Sequence, residues 1–302
     1  MPWFMKTATL LLFAALIIPC SARKPGRVSG PDGKVYTYKE VDGAKRELEV
    51  YFPKDHDPTK AKVPGIIFFH GGGWGGGNRD AFKYQCDYFA KRGLVAATVT
   101  YRLASKEAGK ELEKGQSRKR ICMPDAKSAI RWFKANADEL GIDPKRVIAG
   151  GGSAGGHISL VATHNPGLNH ADDDKSIDTS VAALVLFNPA LQESDAKDPD
   201  INVIEMLSPK SPPTIAFFGD KDGWLKGWTP AYEKWKGIEG ATIVTEMAPG
   251  QAHAFFNYQP WADLTLSSAD HFVAELGFLK GETTLPEPEG GKKLVPAEKG
   301  GK

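Results

Sequence analysis

The sequence predicts an α/β fold, one mostly parallel central sheet with helices on both faces and an antiparallel hairpin ahead of it. Three observations carry that prediction. Wholly apolar runs, suited to strands covered on both sides, recur along the chain. Segments with apolar residues spaced three and four apart separate them, and glycine-rich turns follow several of the runs. At 302 residues, 41% hydrophobic and 25% charged, the chain can bury a full core. Its formal charge of +2 is nearly balanced and gives no reason to invoke nucleic acid or an acidic substrate.

The N-terminus reads as an export signal. Lys6 supplies positive charge, residues 10–18 form an apolar run too short to span a bilayer, and Cys20-Ser21-Ala22 offers small residues for cleavage. Residues 1–22 are therefore set aside as a signal peptide, leaving a domain over 23–280 and a tail over 281–302. A lipoprotein anchored at Cys20 is the competing reading, and Pro19 directly before the cysteine argues against it. No second long apolar stretch follows, so the expectation is a periplasmic or secreted protein without stable membrane insertion after signal removal. Export makes Cys86 and Cys122 a candidate disulfide, with two independent buried thiols as the alternative.

The elements follow in order. Residues 35–41 and 47–52 alternate at period two around the turn signal Asp42-Gly43, predicting the hairpin. Residues 65–69 are apolar throughout and lead into His70-Gly71-Gly72-Gly73-Trp74. A helix over 81–91 ends at Gly93, and a strand over 94–101 follows. The charged insertion over 105–120 reads as a solvated loop or surface helix. Ala126, Ala129, Ile130, Phe133, Ala137 and Leu140 predict an amphipathic helix over 125–140. Strands are predicted at 147–149, 181–187, 214–218 and 242–247, and helices from Ala154 towards Thr163, over 229–236 and near 261–278. Beyond Gly281, Pro, Glu, Gly and Lys dominate, and such a tail has nothing to bury against its ordering entropy.

The chemistry centres on Gly151-Gly152-Ser153-Ala154-Gly155, where a serine sits at a strand-to-helix turn with a glycine two residues to either side. Such a bend lifts a serine hydroxyl above a parallel sheet, although glycine-rich turns of this kind also cradle phosphates. The remaining chain must supply partners. The glycines after His70 leave N–H groups unobstructed, and the loop can aim two of them, with that of Ala154, at a developing negative charge. His70 itself is expected to brace the loop. Asp220 and Asp222 both follow the strand at 214–218; Asp222 is preferred because the turn must first clear the strand end, with Asp220 as the fallback. Of the seven histidines, His253 alone follows a late strand on a loop ahead of the last helix. His56, His164 and His170 read as loops or helix ends, and His157 and His271 lie on helices.

With these motifs in place the chain resembles an α/β-hydrolase of the hormone-sensitive-lipase-like and acyl-carbohydrate-esterase branch, from near Glu47 to near Phe278. The order Ser, Asp, His is that fold's order. The resemblance implies Ser153 as nucleophile, His253 as general base and then acid, Asp222 as its orienter, and Gly72, Gly73 and Ala154 as oxyanion donors. It implies neither metal nor cofactor. Tyr101-Arg102-Leu103 and residues 125–132 are similar to family landmarks, with Asp125 in a structural role. Asp172-Asp173-Asp174 lacks the ligand spacing of a calcium site and reads as a solvated loop. The chain departs from the family pattern at Ala254, where glycine is frequent, and in lacking an extended helical cap. A thin cover predicts an open site for a short acyl group on a bulky alcohol. The expected activity is therefore an exported serine carboxylesterase on small-molecule or carbohydrate esters, acetyl or feruloyl groups among them. Trp74, Trp224 and Trp228 are candidates either for stacking on sugar rings or for the core. The alternatives are a peptidase of the prolyl-oligopeptidase type, whose large additional domain this chain has no room for, and a hydrolase fold kept as a binding module.

Overall fold

Along the central strands, side chains alternate between two apolar layers, as the period of a pleated strand requires. Ile67 and Phe69, Leu184 and Leu186, and Ala216 and Phe218 pack into one layer, while Ile66 and Phe68, Val185 and Phe187, and Ile215 and Phe217 pack into the other. The structure, a computed structural model, describes residues 26–106, 112–286 and 291–297. Residues 1–22, with the expected signal peptide and Cys20, lie outside the described residues.

The hairpin forms as expected from β1 (Lys34–Val41) and β2 (Ala44–Tyr51), with Asp42 and Gly43 both at positive φ. There follow β3 (Val63–Phe69), α1 (Lys83–Lys91), β4 (Val95–Val99), α2 (Met123–Ala135), α3 (Ala137–Leu140) and β5 (Ile142–Gly152). The remainder comprises α4 (Ala154–His164), β6 (Ala183–Phe187), α5 (Val203–Met206), β7 (Thr214–Gly219), α6 (Leu225–Lys236), β8 (Ile243–Ala248), α7 (Trp261–Glu275) and β9 (Val295–Pro296). The sheet order is β1-β2-β4-β3-β5-β6-β7-β8-β9. Neighbours from β4 to β8 run parallel, and β1–β2, β2–β4 and β8–β9 are antiparallel. Side chains of α2, α4 and α6 fill the first layer, and those of α1 and α7 the second. From β3 the chain moves outward to β4 and then returns past β3 to β5. That reversal opens a crevice at the carboxyl ends of β3 and β5, where ligands of open α/β sheets bind.

Several expectations are corrected. The helix over 125–140 is two helices, because the backbone leaves helical geometry at Asn136, whose side-chain amide donates to the Trp132 carbonyl. Cys86 and Cys122 are free thiols in opposite apolar layers, so the sheet itself keeps them from pairing. Burial pushes the Cys122 thiol up to about 12 and that of Cys86 upward as well, which leaves both inert. The end of the charged insertion is not solvated. Lys119 is buried against Asp195, and Arg120 pairs with Asp198, because both residues run beneath the loop that follows β6. Nor is the aspartate triplet wholly in solvent: Asp173 pairs with Lys39 and Arg131 and accepts from the Ser128 hydroxyl. Part of the tail is ordered, since Val295 and Pro296 pair with Met247 and Glu246 and the Ala297 N–H reaches the Thr245 carbonyl. A free strand edge on β8 supplies the partners that composition did not reveal.

Candidate active site

Two strand ends build the centre of the site. β3 and β5 are in register from Gly65 and Val147 to Phe69 and Gly151, so the loops leaving both emerge side by side. Ser153 takes φ +54° and ψ −121° at the bend into α4, a region that side chains rarely adopt. Its N–H donates to the Phe187 carbonyl, and its own carbonyl accepts from Gly156, His157 and Ala190, which over-determine the turn. The flanking glycines are needed because β3 and α4 cross closely. A Cβ on Gly155 would stand 1.9 Å from the Phe69 carbonyl oxygen, and one on Gly151 would stand 2.5 Å from it.

The turn directs the Ser153 hydroxyl at His253, with 2.8 Å between Oγ and Nε2. On the other side of the ring, Nδ1 lies 2.8 Å from Asp222 Oδ2. A carboxylate only accepts, so Nδ1 carries the proton and Nε2 is left to accept from the serine. Asp222 sits just past β7, where its N–H turns back to the Gly219 carbonyl. The carboxylate is buried, with its second oxygen accepting from the Trp224 N–H. Asp220 is exposed and instead accepts from the Gly250 N–H, tying the loop ahead of the histidine. The structure thus brings Ser153, His253 and Asp222 together and leaves Asp220 outside.

The loop after β3 faces the same point. Gly72 and Gly73 lie at φ +123° and +61°, and among the described residues neither their N–H groups nor that of Ala154 donates to any group. Ala154 is also the first residue of α4, so its N–H adds the positive end of the helix dipole. His70 accordingly braces the loop, its Nδ1 2.7 Å from the Gly71 carbonyl and its carbonyl accepting from the Tyr101 hydroxyl. Burial lowers its pKa to about 4, so it stays neutral.

Other residues support these groups. Trp74, at φ +60°, closes the glycine loop, and its carbonyl accepts from the Ala104 N–H. Its ring lies edge-on to His157 and under the Lys119 ammonium, 4.1 Å from the centroid. Asn188 accepts from the Ala254 N–H, steadying the residue after His253. Of the three tryptophans considered for stacking, Trp228 is buried against Phe218 and bonds Thr245, and Trp74 is buried as described. Trp224 lines the cleft, its ring 6.0 Å from that of His253. The cleft holds about 820 Å³. Its walls come from the glycine loop, Trp224, the loop after His253 and residues 27–29, and among the described residues no helical cap lies over it. No group of His, Cys, Asp or Glu among the described residues is arranged to hold a metal. None of the described helices is long and apolar enough to cross a membrane.

Comparison with known proteins agrees with this geometry. Residues 48–188 match the family described as BD-FAE. Esterase 2 of Thermogutta terrifontis, in the form phosphonylated by cyclosarin, superposes with a TM-score of 0.76 at 34% identity, over 83% of this chain and 97% of that one. The chain belongs to the α/β-hydrolase family of serine esterases. The same esterase has been solved bound to propionate and to butyrate. Among curated relatives of this α/β-hydrolase, arylacetamide deacetylase of Rattus norvegicus is 26% identical over 236 residues, 76% of this chain and 52% of that protein. Carboxylesterase NlhH of Mycobacterium tuberculosis is 34% identical over 122 residues, 38% of this chain and 32% of that protein. The chain thus matches about half of these curated relatives' length or less.

Proposed function

We propose that this serine esterase hydrolyses short-chain acyl esters of bulky alcohols, with Ser153 as nucleophile. The observation that carries the reading is the relay from Ser153 Oγ through His253 to Asp222, with both links at 2.8 Å, beside three N–H groups that have no acceptor among the described residues. In the proposed reaction His253 Nε2 takes the hydroxyl proton as Oγ attacks the ester carbonyl. The N–H groups of Gly72, Gly73 and Ala154 hold the oxyanion, and Asp222 stabilises the imidazolium in place. The alcohol leaves with the proton from Nε2. Water then repeats the steps on the acyl-enzyme, releasing the acid and restoring the serine.

The acyl range is argued from shape and relatives. A propionate-bound and a butyrate-bound form of the Thermogutta esterase favour short acids, and the cleft is far larger than an acyl group of that size. The space left over suits a bulky alcohol, and Trp224 offers an aromatic face for it, which supports carbohydrate esters carrying acetyl or feruloyl groups. Export follows from the N-terminal sequence alone and belongs to the same proposal.

A graded series of p-nitrophenyl esters tests the reading. Turnover is expected to peak at short acyl chains and to fall by several orders of magnitude in Ser153→Ala, with a fluorophosphonate probe labelling only the unsubstituted protein. Near-normal rates in Ser153→Ala would exclude the serine, and a steep preference for long acyl chains would exclude the substrate class. Acetylated xylan and feruloyl esters then separate carbohydrate from simple esters.

A further inference from the structure

Residues 26–33 form a segment of which 27–29 line one rim of the cleft. They form a seated strap. The Val28 N–H donates to the Asn257 carbonyl at 2.8 Å, Arg27 makes an antiparallel bridge to Tyr258, and the Pro31 carbonyl accepts from the Tyr51 hydroxyl. The Gly33 N–H reaches Glu49, and Gly30 lies so close to Lys83 that a Cβ would stand 2.6 Å from its carbonyl carbon. Asn257 in turn bonds the carbonyl of Ala254, the residue after His253. The strap is therefore registered against the loop that carries the histidine.

That seating places a charge in the cleft. Among the described residues lining it, Arg27 is the only lysine or arginine and Asp80 the only carboxylate. Asp80 has its own cation in Lys83, 3.1 Å away, which it shares with Asp32 and Glu49. Arg27 has no carboxylate partner among the described residues; its guanidinium makes one long bond, 3.3 Å, to the neutral side-chain oxygen of Asn257. Arg27 is exposed, and among the described residues no other group accepts from its guanidinium, whose remaining donors face solvent at the cleft rim.

We infer that Arg27 forms a carboxylate subsite, so that the preferred esters carry an anionic group on the alcohol, as a uronate does. The assignment to the alcohol rests on the proposed function, in which the acyl group is short and the rest of the cleft receives the alcohol. A planar guanidinium pairs a carboxylate through two parallel hydrogen bonds.

The test is a pair of acetate esters matched in shape, 4-acetoxybenzoate and the neutral 4-acetoxybenzamide, assayed with the full chain. In Arg27→Ala the ratio of kcat/KM between anionic and neutral ester should fall about tenfold, with the neutral ester within about twofold of its original value. Arg27→Gln, which keeps the first part of the stem and an amide donor without the charge, should give the same fall, and Arg27→Lys should retain part of the ratio. Added sodium chloride should compress the ratio in the original protein and leave it unchanged in Arg27→Ala. An equal loss on both esters would make the strap merely structural and overturn the inference, as would an unchanged ratio in both Arg27→Ala and Arg27→Gln. Failure of the underlying reading looks different: neither ester would turn over in the original protein and the fluorophosphonate would not label Ser153.

Discussion

Ser153 holds φ +54° without being glycine, at a cost on the order of 1–3 kcal/mol that its surroundings offset. Ser153→Ala and Ser153→Gly both lose the hydroxyl, yet only glycine relieves the backbone. Urea unfolding should therefore find Ser153→Gly the more stable of the two by about 1 kcal/mol, after glycine's extra unfolded-state entropy is subtracted. The two aspartates after β7 make a second residue-scale comparison. Asp222→Asn presents an amide to His253 Nδ1 and favours the wrong tautomer, so kcat should drop by about 10⁴. Asp220→Asn keeps an acceptor for the Gly250 N–H and should stay within about threefold. The sequence distinguished these two because the side chain nearest a strand end still follows the strand's direction, whereas one two residues later can fold back. It said nothing of Arg27, Asn188 or Asn257. Their partners are polar, ordinary and distant in the chain, and Arg27 bonds a residue 230 positions away.

At the scale of elements, strands and the helices between them were legible because each buries a periodic apolar face. The connections were not. The short turn over Arg118–Cys122 carries Lys119 under Trp74 and onto Asp195, which also lies 3.7 Å from the buried His157. In sequence this looks like charge bound for solvent, since its partner arrives only after β6. Lys119→Met would leave Asp195 buried and uncompensated, so stability should fall by about 3 kcal/mol. Lys119→Met combined with Asp195→Leu should recover part of that loss, a difference that denaturant titrations of the single and double variants would read out. Because the lysine also presses on the ring that closes the glycine loop, the single variant should lose kcat more than it raises KM.

For the molecule as a whole, buried neutral histidines set the acid limit. Burial lowers His70 and His157 to about 4 from the usual 6.5, and lowers His164 as well. The unfolded chain thus binds protons before the folded one does. Stability contributed by these groups is present above about pH 6.5 and is lost as the pH falls towards 4, by roughly 3 kcal/mol for each of the two strongest. Tm measured across that window should decline before most carboxylates titrate, and His157→Gln should flatten the slope. The two outer strands have a different consequence. β1 is charged and breaks register between Thr37 and Lys39, and β9 is only two residues long and contains a proline, which has no N–H to offer. Neither edge invites another chain. A protein ending at residue 286 would uncover the hydrogen-bonding groups of Thr245 and Met247 on β8, and light scattering should then reveal self-association with turnover per molecule unchanged. A tail remote from the chemistry would thereby govern how concentrated the enzyme can become before its sheets begin to join.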